Sequence, residues 1–169
     1  MPPQDLQLRA ESWLHTLGCT PVPQEDAQAV WHFLVDYPVR TPHQMHVVGP
    51  KACPTALVIA TATDVSREHY QVFETLDDDG KAEFLWELRR TLNHTEVDFK
   101  LEGVSAVLDC PTLFQVSVTR FADGLNMDSF ARSMSMVFHT ELNATWLVQR
   151  YLGPREGGRG GRFDFRKAG

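Results

Sequence analysis

Histidine and cysteine are the residue types in this sequence with the widest chemical reach, because both bind transition metals and both take part in catalysis. The chain contains seven histidines and three cysteines. His43 and His46 are three positions apart in a segment predicted to be a β-strand, and that spacing places them on opposite faces. His69 and His94 fall at the ends of predicted helices. The spacing of the histidines therefore predicts no metal site.

The cysteines also lack the spacing of a known metal motif. Cys19, Cys53 and Cys110 are odd in number, widely separated and without a Cys-x-x-Cys pair. Small core thiols in a reducing, cytoplasmic compartment are the favoured interpretation. A mixed Cys/His zinc site, formed by residues that are distant in sequence, is the alternative.

Sequence patterns for nucleophilic catalysis and for phosphate binding are missing. There is no Gly-x-Ser-x-Gly, and no basic residue directly adjoins Cys53 or Cys110. The sequence contains neither a Walker nor a dinucleotide-binding pattern. The acidic run 77–79 lacks the ligand spacing of a calcium loop and suits the first turn of a helix. We therefore predict no catalytic residues, no cofactor and no metal.

Charge divides the chain into an acidic body and a basic tail. Residues 155–169 contain five basic and two acidic residues, and the whole chain carries a net charge of −6, so residues 1–154 carry −9. An acidic body repels phosphate backbones, so nucleic acid is expected to bind through the tail or not at all. Arginines interleaved with aromatic residues are typical of single-strand-binding segments. The arginines concerned are Arg155, Arg159, Arg162 and Arg166. A flexible, solubilising end is the simpler alternative.

Hydrophobic periodicity predicts the helices and strands. Helices are predicted over 4–17, 68–76, 81–92 and from Asn126 or Asp128 to about Leu152; strands are predicted over 29–37, 44–48, 56–63, 97–101 and 113–121. The element order is α-β-β-β-α-(α)-β-β-α. Because the strands are clustered rather than alternating with helices, the pattern indicates an α+β domain with an antiparallel sheet of about five strands.

The same pattern bounds the domain organisation. Residues 1–153 are predicted to form a single domain, and residues 154–169 are predicted to form a flexible tail rich in glycine and arginine. No apolar run approaches the roughly 18 to 20 residues of a membrane helix, and the N-terminus lacks a secretory signal pattern. We therefore expect a cytoplasmic protein without a membrane partner.

Four segments carry a resemblance to a known family over about residues 5–152. They are YPVRTPHQMHVVGPK, TLDDDGKAEFLWELRRTL, VDFKLEG and TRFADGLNMDSFARSM. Together with the element order, they make the chain similar to a small archaeal and bacterial family of uncharacterised proteins, which looks like the type III secretion chaperone-like fold of YbjN-like proteins. The resemblance implies an acidic homodimer that holds extended segments of a partner protein on hydrophobic patches.

The functional expectation is a non-enzymatic protein-binding, adaptor or chaperone-like protein. It would form a homodimer and engage an unidentified protein partner through an exposed sheet face or groove. The candidate contact residues are Trp31, Tyr37, Met134 and Phe138, although their spacing also suits the core. One alternative is an RNA-associated factor acting through the basic tail. Another is an enzyme or metal protein whose Cys and His residues meet only in space.

Overall fold

The computed structural model of the chain describes residues 3–41, 43–93 and 96–153. These residues form four helices and six strands. The helices are α1 (Pro3–Thr16), α2 (Arg67–Glu74), α3 (Asp78–Leu92) and α4 (Met127–Leu152). The strands are β1 (Val22–Pro23), β2 (Ala29–Asp36), β3 (Gln44–Pro50), β4 (Ala56–Asp64), β5 (Asp98–Glu102) and β6 (Leu113–Phe121).

The strands form one antiparallel sheet in the order β1-β2-β3-β4-β6-β5. β2, β3 and β4 are a meander, whereas α2 and α3 carry the chain from β4 to the edge strand β5 before β6 returns beside β4. The longest pairing joins β4 to β6 and runs from Ala56 opposite Phe121 to Asp64 opposite Leu113. An antiparallel α+β sheet is confirmed. β4 lies in its interior, and its nearly continuous apolar run suits burial from both faces.

One hydrophobic core lies between the sheet and the helices. Every second residue of the central strands is buried, such as Phe33, Val47 and Val116. α4 packs against β4 and β6, and the other three helices contact α4. The buried stripe of α4 comprises Phe130, Met134, Val137, Ala144 and Val148. The helices therefore cover one face of the sheet.

Side-chain caps fix where three of the helices begin. The carboxylate of Asp77 accepts a hydrogen bond from the backbone N–H of Gly80 at 2.8 Å, and Ser66 caps α2 in the same way. Asn126 and Ser129 form a reciprocal capping box at the start of α4. The acidic run 77–79 is thus the start of a helix, as predicted.

Two features of the sheet differ from the expectation. β1 contains a proline in a two-residue strand, so periodicity gave no signal for it, and the sheet has six strands rather than about five. β3 continues through Gly49–Pro50, where the sequence predicted its end. Gly49 lies opposite Trp31 in the register, and the Trp31 indole occupies the space that a Cβ would need. Glycine here allows a close approach instead of ending the strand.

We expect Gly49→Ala to lower the free energy of unfolding by about 1–3 kcal/mol, because the added methyl overlaps the Trp31 indole. Urea unfolding followed by circular dichroism measures the change. Gly124→Ala is the matched control, since nothing lies within 4 Å of its Cβ position. Equal stability losses in the two variants would contradict the close-packing explanation.

Candidate functional site

The face of the sheet opposite the helices, which we call the open face, carries the alternate side chains of each strand. On β2, His32 and Leu34 are half-buried and Asp36 is exposed, whereas Phe33 and Val35 between them are buried. The core side chains of all four described helices lie with the buried set on the other face. Of the two faces of the sheet, the open face is therefore the one with more accessible strand side chains.

Aliphatic side chains lie on the open face along β1 to β4, among a few polar residues. Val48 is the register partner of both His32 and Val58, so their side chains adjoin across three strands. Leu34 lies opposite Val22, which is 51% exposed. An apolar surface of this kind on a folded domain is typical of a binding site. We call these residues the apolar half: Val22, Val30, Leu34, Val48 and Val58.

Over β5 and β6 the open face is mainly polar, apart from Leu113 and the exposed Phe121 at the two ends of β6. Its side chains there include Asp98, Lys100, Glu102, Gln115, Ser117 and Thr119. With Asp36 and Asp64, the strands place four carboxylates on this face against one lysine. That lysine is paired with Glu102, because its Nζ lies 2.7 Å from the Glu102 carboxylate. Carboxylates therefore outnumber amines on the open face, at the ends of β2 and β4 and along the edge strand β5.

Two histidines and an aspartate form a polar line within the apolar half. His32 Nε2 lies 2.8 Å from His46 Nδ1, within hydrogen-bond distance. His32 Nδ1 lies 3.4 Å from Asp26 Oδ2, at ion-pair distance but without hydrogen-bond alignment. The two rings come from β2 and β3, 14 positions apart in the sequence. Sequence spacing compared His46 only with His43 and so missed this pair.

The environment of His46 favours its neutral form. Burial and the adjacent His32 both lower the His46 pKa, and Asp26 opposes them only in part. A neutral imidazole retains a ring-nitrogen lone pair, which is the form that binds metals and accepts protons.

A second polar cluster lies on the covered side of the sheet. Glu141 of α4 is 5% exposed and accepts a short hydrogen bond from the Thr63 hydroxyl. Its other oxygen lies 3.1 Å from His43 Nε2, close enough for an ion pair although not aligned as a hydrogen bond. His43 and His46 thus face opposite sides, as the strand spacing predicted. The buried carboxylate ties the centre of α4 to β4 and to the segment that precedes β3.

Phe138 closes the outer side of this cluster. Its ring centroid lies 5.1 Å from that of His43 and 6.0 Å from that of Tyr37, both in edge-on arrangements. Burial raises the Tyr37 pKa, against the lowering effect of a hydrogen bond with Ser135. Tyr37 is therefore a neutral phenol at physiological pH, and this group packs α4 against the β2–β3 connection.

A cleft of about 600 Å³ opens beside the β6–α4 connection, lined in part by Arg9, Thr55 and Asp123. The Arg9 guanidinium donates a hydrogen bond to the Leu125 carbonyl at 2.9 Å and lies over the Trp13 ring. The backbone N–H of Gly124 faces the Asp123 carboxylate at 3.0 Å, which is typical of a local turn. The Arg9 guanidinium is therefore used to hold α1 against the β6–α4 connection. We assign this cleft a structural role and no ligand.

Two of the three thiols are poorly suited to nucleophilic catalysis or metal binding. Burial raises the Cys110 pKa to about 11 and also raises that of Cys19. Cys53 is half-buried, with its sulfur 3.7 Å from the Thr55 hydroxyl. In the described ranges, no group of three His, Cys, Asp or Glu side chains is arranged to hold a metal ion.

The structure separates the four predicted contact residues. Trp31 and Met134 are buried in the core, so neither presents surface to a partner, and that part of the expectation is corrected. Their strand and helix positions place them on the faces that pack between the two layers. Tyr37 and Phe138 are half-buried beside the Glu141 cluster. The predicted nucleic-acid residues of the tail lie outside the described residues.

These features define a two-layer α+β protein with one packed and one open sheet face. Its sequence matches the family model described as "Uncharacterized conserved protein (DUF2299)" over residues 6–148, and the chain belongs to this family. It is also similar to a solved structure, an uncharacterized protein from Methanothermobacter thermautotrophicus. That match has 30% sequence identity and a TM-score of 0.77, and it covers 89% of this chain and 99% of the other. No curated protein matches the chain. Among the described helices, none has the length and apolar character to cross a membrane.

We expect Glu141→Ala to destabilise the fold by about 1–3 kcal/mol, because it leaves the Thr63 hydroxyl and His43 without their buried acceptor. The exposed neighbour Asn143 on the same helix provides the control variant, Asn143→Ala. Urea unfolding at neutral pH compares them. If both variants were equally stable, the carboxylate would contribute nothing to the attachment of α4.

The lowered His46 pKa predicts a pH dependence of stability. The unfolded chain binds a proton at His46 more readily than the folded chain does, so this contribution is full above the unfolded pKa of about 6.5 and is lost as pH falls. Between pH 7.5 and 5.5, we expect the free energy of unfolding to fall less in His46→Gln than in the wild-type chain. Parallel stability curves for the two proteins would show that His46 is not responsible.

Proposed function

We propose that the chain is a non-enzymatic protein-binding protein of the adaptor or chaperone kind, which docks a partner polypeptide on the apolar half of the open face. The supporting observation is that aliphatic side chains on four adjacent strands remain accessible while the opposite face is fully packed. Burial of such side chains contributes about 25 cal/mol per Å². Covering the apolar half with a partner would therefore contribute favourable free energy to binding.

The charge of the open face favours a partner segment that is both apolar and basic. Four strand carboxylates lie on this face, and the body carries an excess negative charge. Opposite charges across an interface increase the association rate and select against acidic partners. The occupant would therefore carry apolar side chains flanked by lysine or arginine.

The same charges disfavour docking of two copies through this face. A two-fold interface brings each patch onto its own copy, so the unpaired carboxylates of both chains would enter the same interface. The predicted homodimer, which stays part of the proposal, would need another surface. Trp86 and Trp146 on the helix layer are 67% and 51% exposed and offer apolar area for it.

The proposed chaperone-like character is supported by the element order and by the single covered face of the sheet. A partner held on one open face matches the capture of extended segments that the type III secretion chaperone-like resemblance implies. A catalytic role has weaker support, because two of the thiols are buried and the Glu141 cluster binds α4 to the sheet. Binding of RNA by residues 154–169 stays a prediction, since those residues lie outside the described ranges.

Selection from a displayed library of random 15-residue peptides tests the docking proposal. We expect peptides selected on the wild-type chain to be enriched in aliphatic or aromatic residues together with lysine and arginine. Val48→Asp should weaken their binding at least tenfold, because a carboxylate would stand in the middle of the apolar half. Fluorescence anisotropy with a selected peptide measures the affinity, and rising salt should weaken it further.

Leu8→Asp is the control, since it places the same charge on an exposed apolar site of the helix layer, outside the surface suggested for the dimer. Val30→Asp, at a more exposed position of the apolar half, replaces Val48→Asp if circular dichroism shows that the latter unfolds. Selected peptides that bind the Val48 and Val30 variants as well as the wild-type chain would refute docking on the open face. So would the recovery of no enriched peptide.

A further inference from the structure

The ring nitrogens of His32 and His46 converge on the open face. Their closest nitrogens are 2.8 Å apart, and the ring centroids are 5.1 Å apart with the planes inclined at 51°. The residues are diagonal neighbours across β2 and β3, because His32 pairs with Val48 and His46 pairs with Leu34. A hydrogen bond between two neutral imidazoles requires that one ring donates its N–H and the other accepts with a nitrogen lone pair.

The charge of Asp26 favours a proton on the nearer nitrogen of His32, without a hydrogen bond between the two groups. Its Oδ2 lies 3.4 Å from His32 Nδ1, and its Oδ1 is held by the backbone N–H of Gln28 at 2.8 Å. A proton on Nδ1 faces the carboxylate favourably, which leaves the lone pair on Nε2. His46 must then donate its Nδ1–H to that lone pair.

A carboxylate behind a histidine whose far nitrogen is free is the arrangement found around metal-bound histidines. The carboxylate orients the ring, fixes its tautomer and increases its basicity as a ligand. Here the far nitrogen of His32 faces a nitrogen of a second imidazole, that of His46, instead of solvent. Both nitrogens are ligands that zinc, copper and nickel ions prefer.

We propose that His32 and His46 form a two-histidine site for a divalent ion of this group, with Asp26 as the orienting carboxylate. The ion takes the place of the proton between the rings, and that proton moves to Nε2 of His46, so that both imidazoles stay neutral. Zinc–nitrogen bonds of 2.0–2.1 Å at a tetrahedral angle put the two nitrogens roughly 3.3 Å apart. The rings need to separate by only about half an ångström, which small side-chain rotations supply.

Charges of both signs lie near the pair. Asp26 and Asp36 supply carboxylates, and the Lys51 ammonium donates a hydrogen bond to the carbonyl of Ala27, next to Asp26, at 2.8 Å. The side chains of Leu34 and Val48 flank the rings. Both histidines are half-buried, so water would complete the coordination of the ion from the open face. This metal site does not depend on the proposed docking function, because its ligands all come from this chain and no partner polypeptide is needed to complete it.

Isothermal titration of Zn²⁺ into the full chain at pH 7.5 tests the site. We expect one equivalent to bind with wild-type protein. His32→Gln and His46→Gln should each weaken binding at least tenfold, and Asp26→Asn should weaken it about 10- to 100-fold through loss of the orienting carboxylate. His139→Gln is the control, since that histidine is exposed on α4 and contacts Ser135.

Histidine ring signals in NMR spectra identify the ligands directly in the wild-type chain, which keeps the test valid if a variant fails to fold. Zinc should shift the signals of His32 and His46 and leave that of His139 unchanged. Absence of zinc binding overturns the proposal, as does binding that His32→Gln leaves unaltered or that shifts other histidines instead. Peptide docking measured without zinc distinguishes a failure of this site from a failure of the docking surface.

Discussion

The packing of α4 across β4 and β6 is the interaction on which the remaining structure depends. The helix has 26 residues, and a helix of that length spans about 39 Å at 1.5 Å per residue. It provides a continuous apolar stripe against which α1, α2 and α3 pack. Because all of the helices join this single layer, the second face of the sheet receives no cover from them. The open face is therefore a consequence of how the helix layer is organised.

Glu141 adds specificity to that layer. Aliphatic stripes slide past one another at little cost, whereas a buried carboxylate must keep its partners or lose several kcal/mol. The Thr63 hydroxyl and His43 fulfil this need only when α4 is seated at one position along β4. The apolar stripe thus supplies the free energy of packing, and Glu141 selects a single alignment. In the sequence it appears only as an interruption of the stripe.

Local chemistry made most of the fold predictable, and long-range register did not. Asn126, Ser66 and Asp77 determine helix starts through neighbouring residues, and the alternation in β2 and β6 determines their inward faces. The pairing of His32 with His46 depends on how β2 aligns with β3, and the partner of Glu141 depends on where α4 crosses the sheet. Neither distance is encoded in a local pattern. For the same reason Gly49 resembled a strand end, although its role is to make room for Trp31.

The protection of the sheet edges explains why a partner would use the face. β1 has only two residues, one of them a proline, and β5 presents alternating charged side chains, so both edges resist the addition of another strand. The face between them has no such protection over β1 to β4. Strand addition would give affinity through backbone hydrogen bonds with little selectivity, whereas a face lined by aliphatic side chains, carboxylates and two imidazoles selects a partner by its side chains. The arrangement of charge therefore favours recognition through side chains, on the surface where the two histidines also lie.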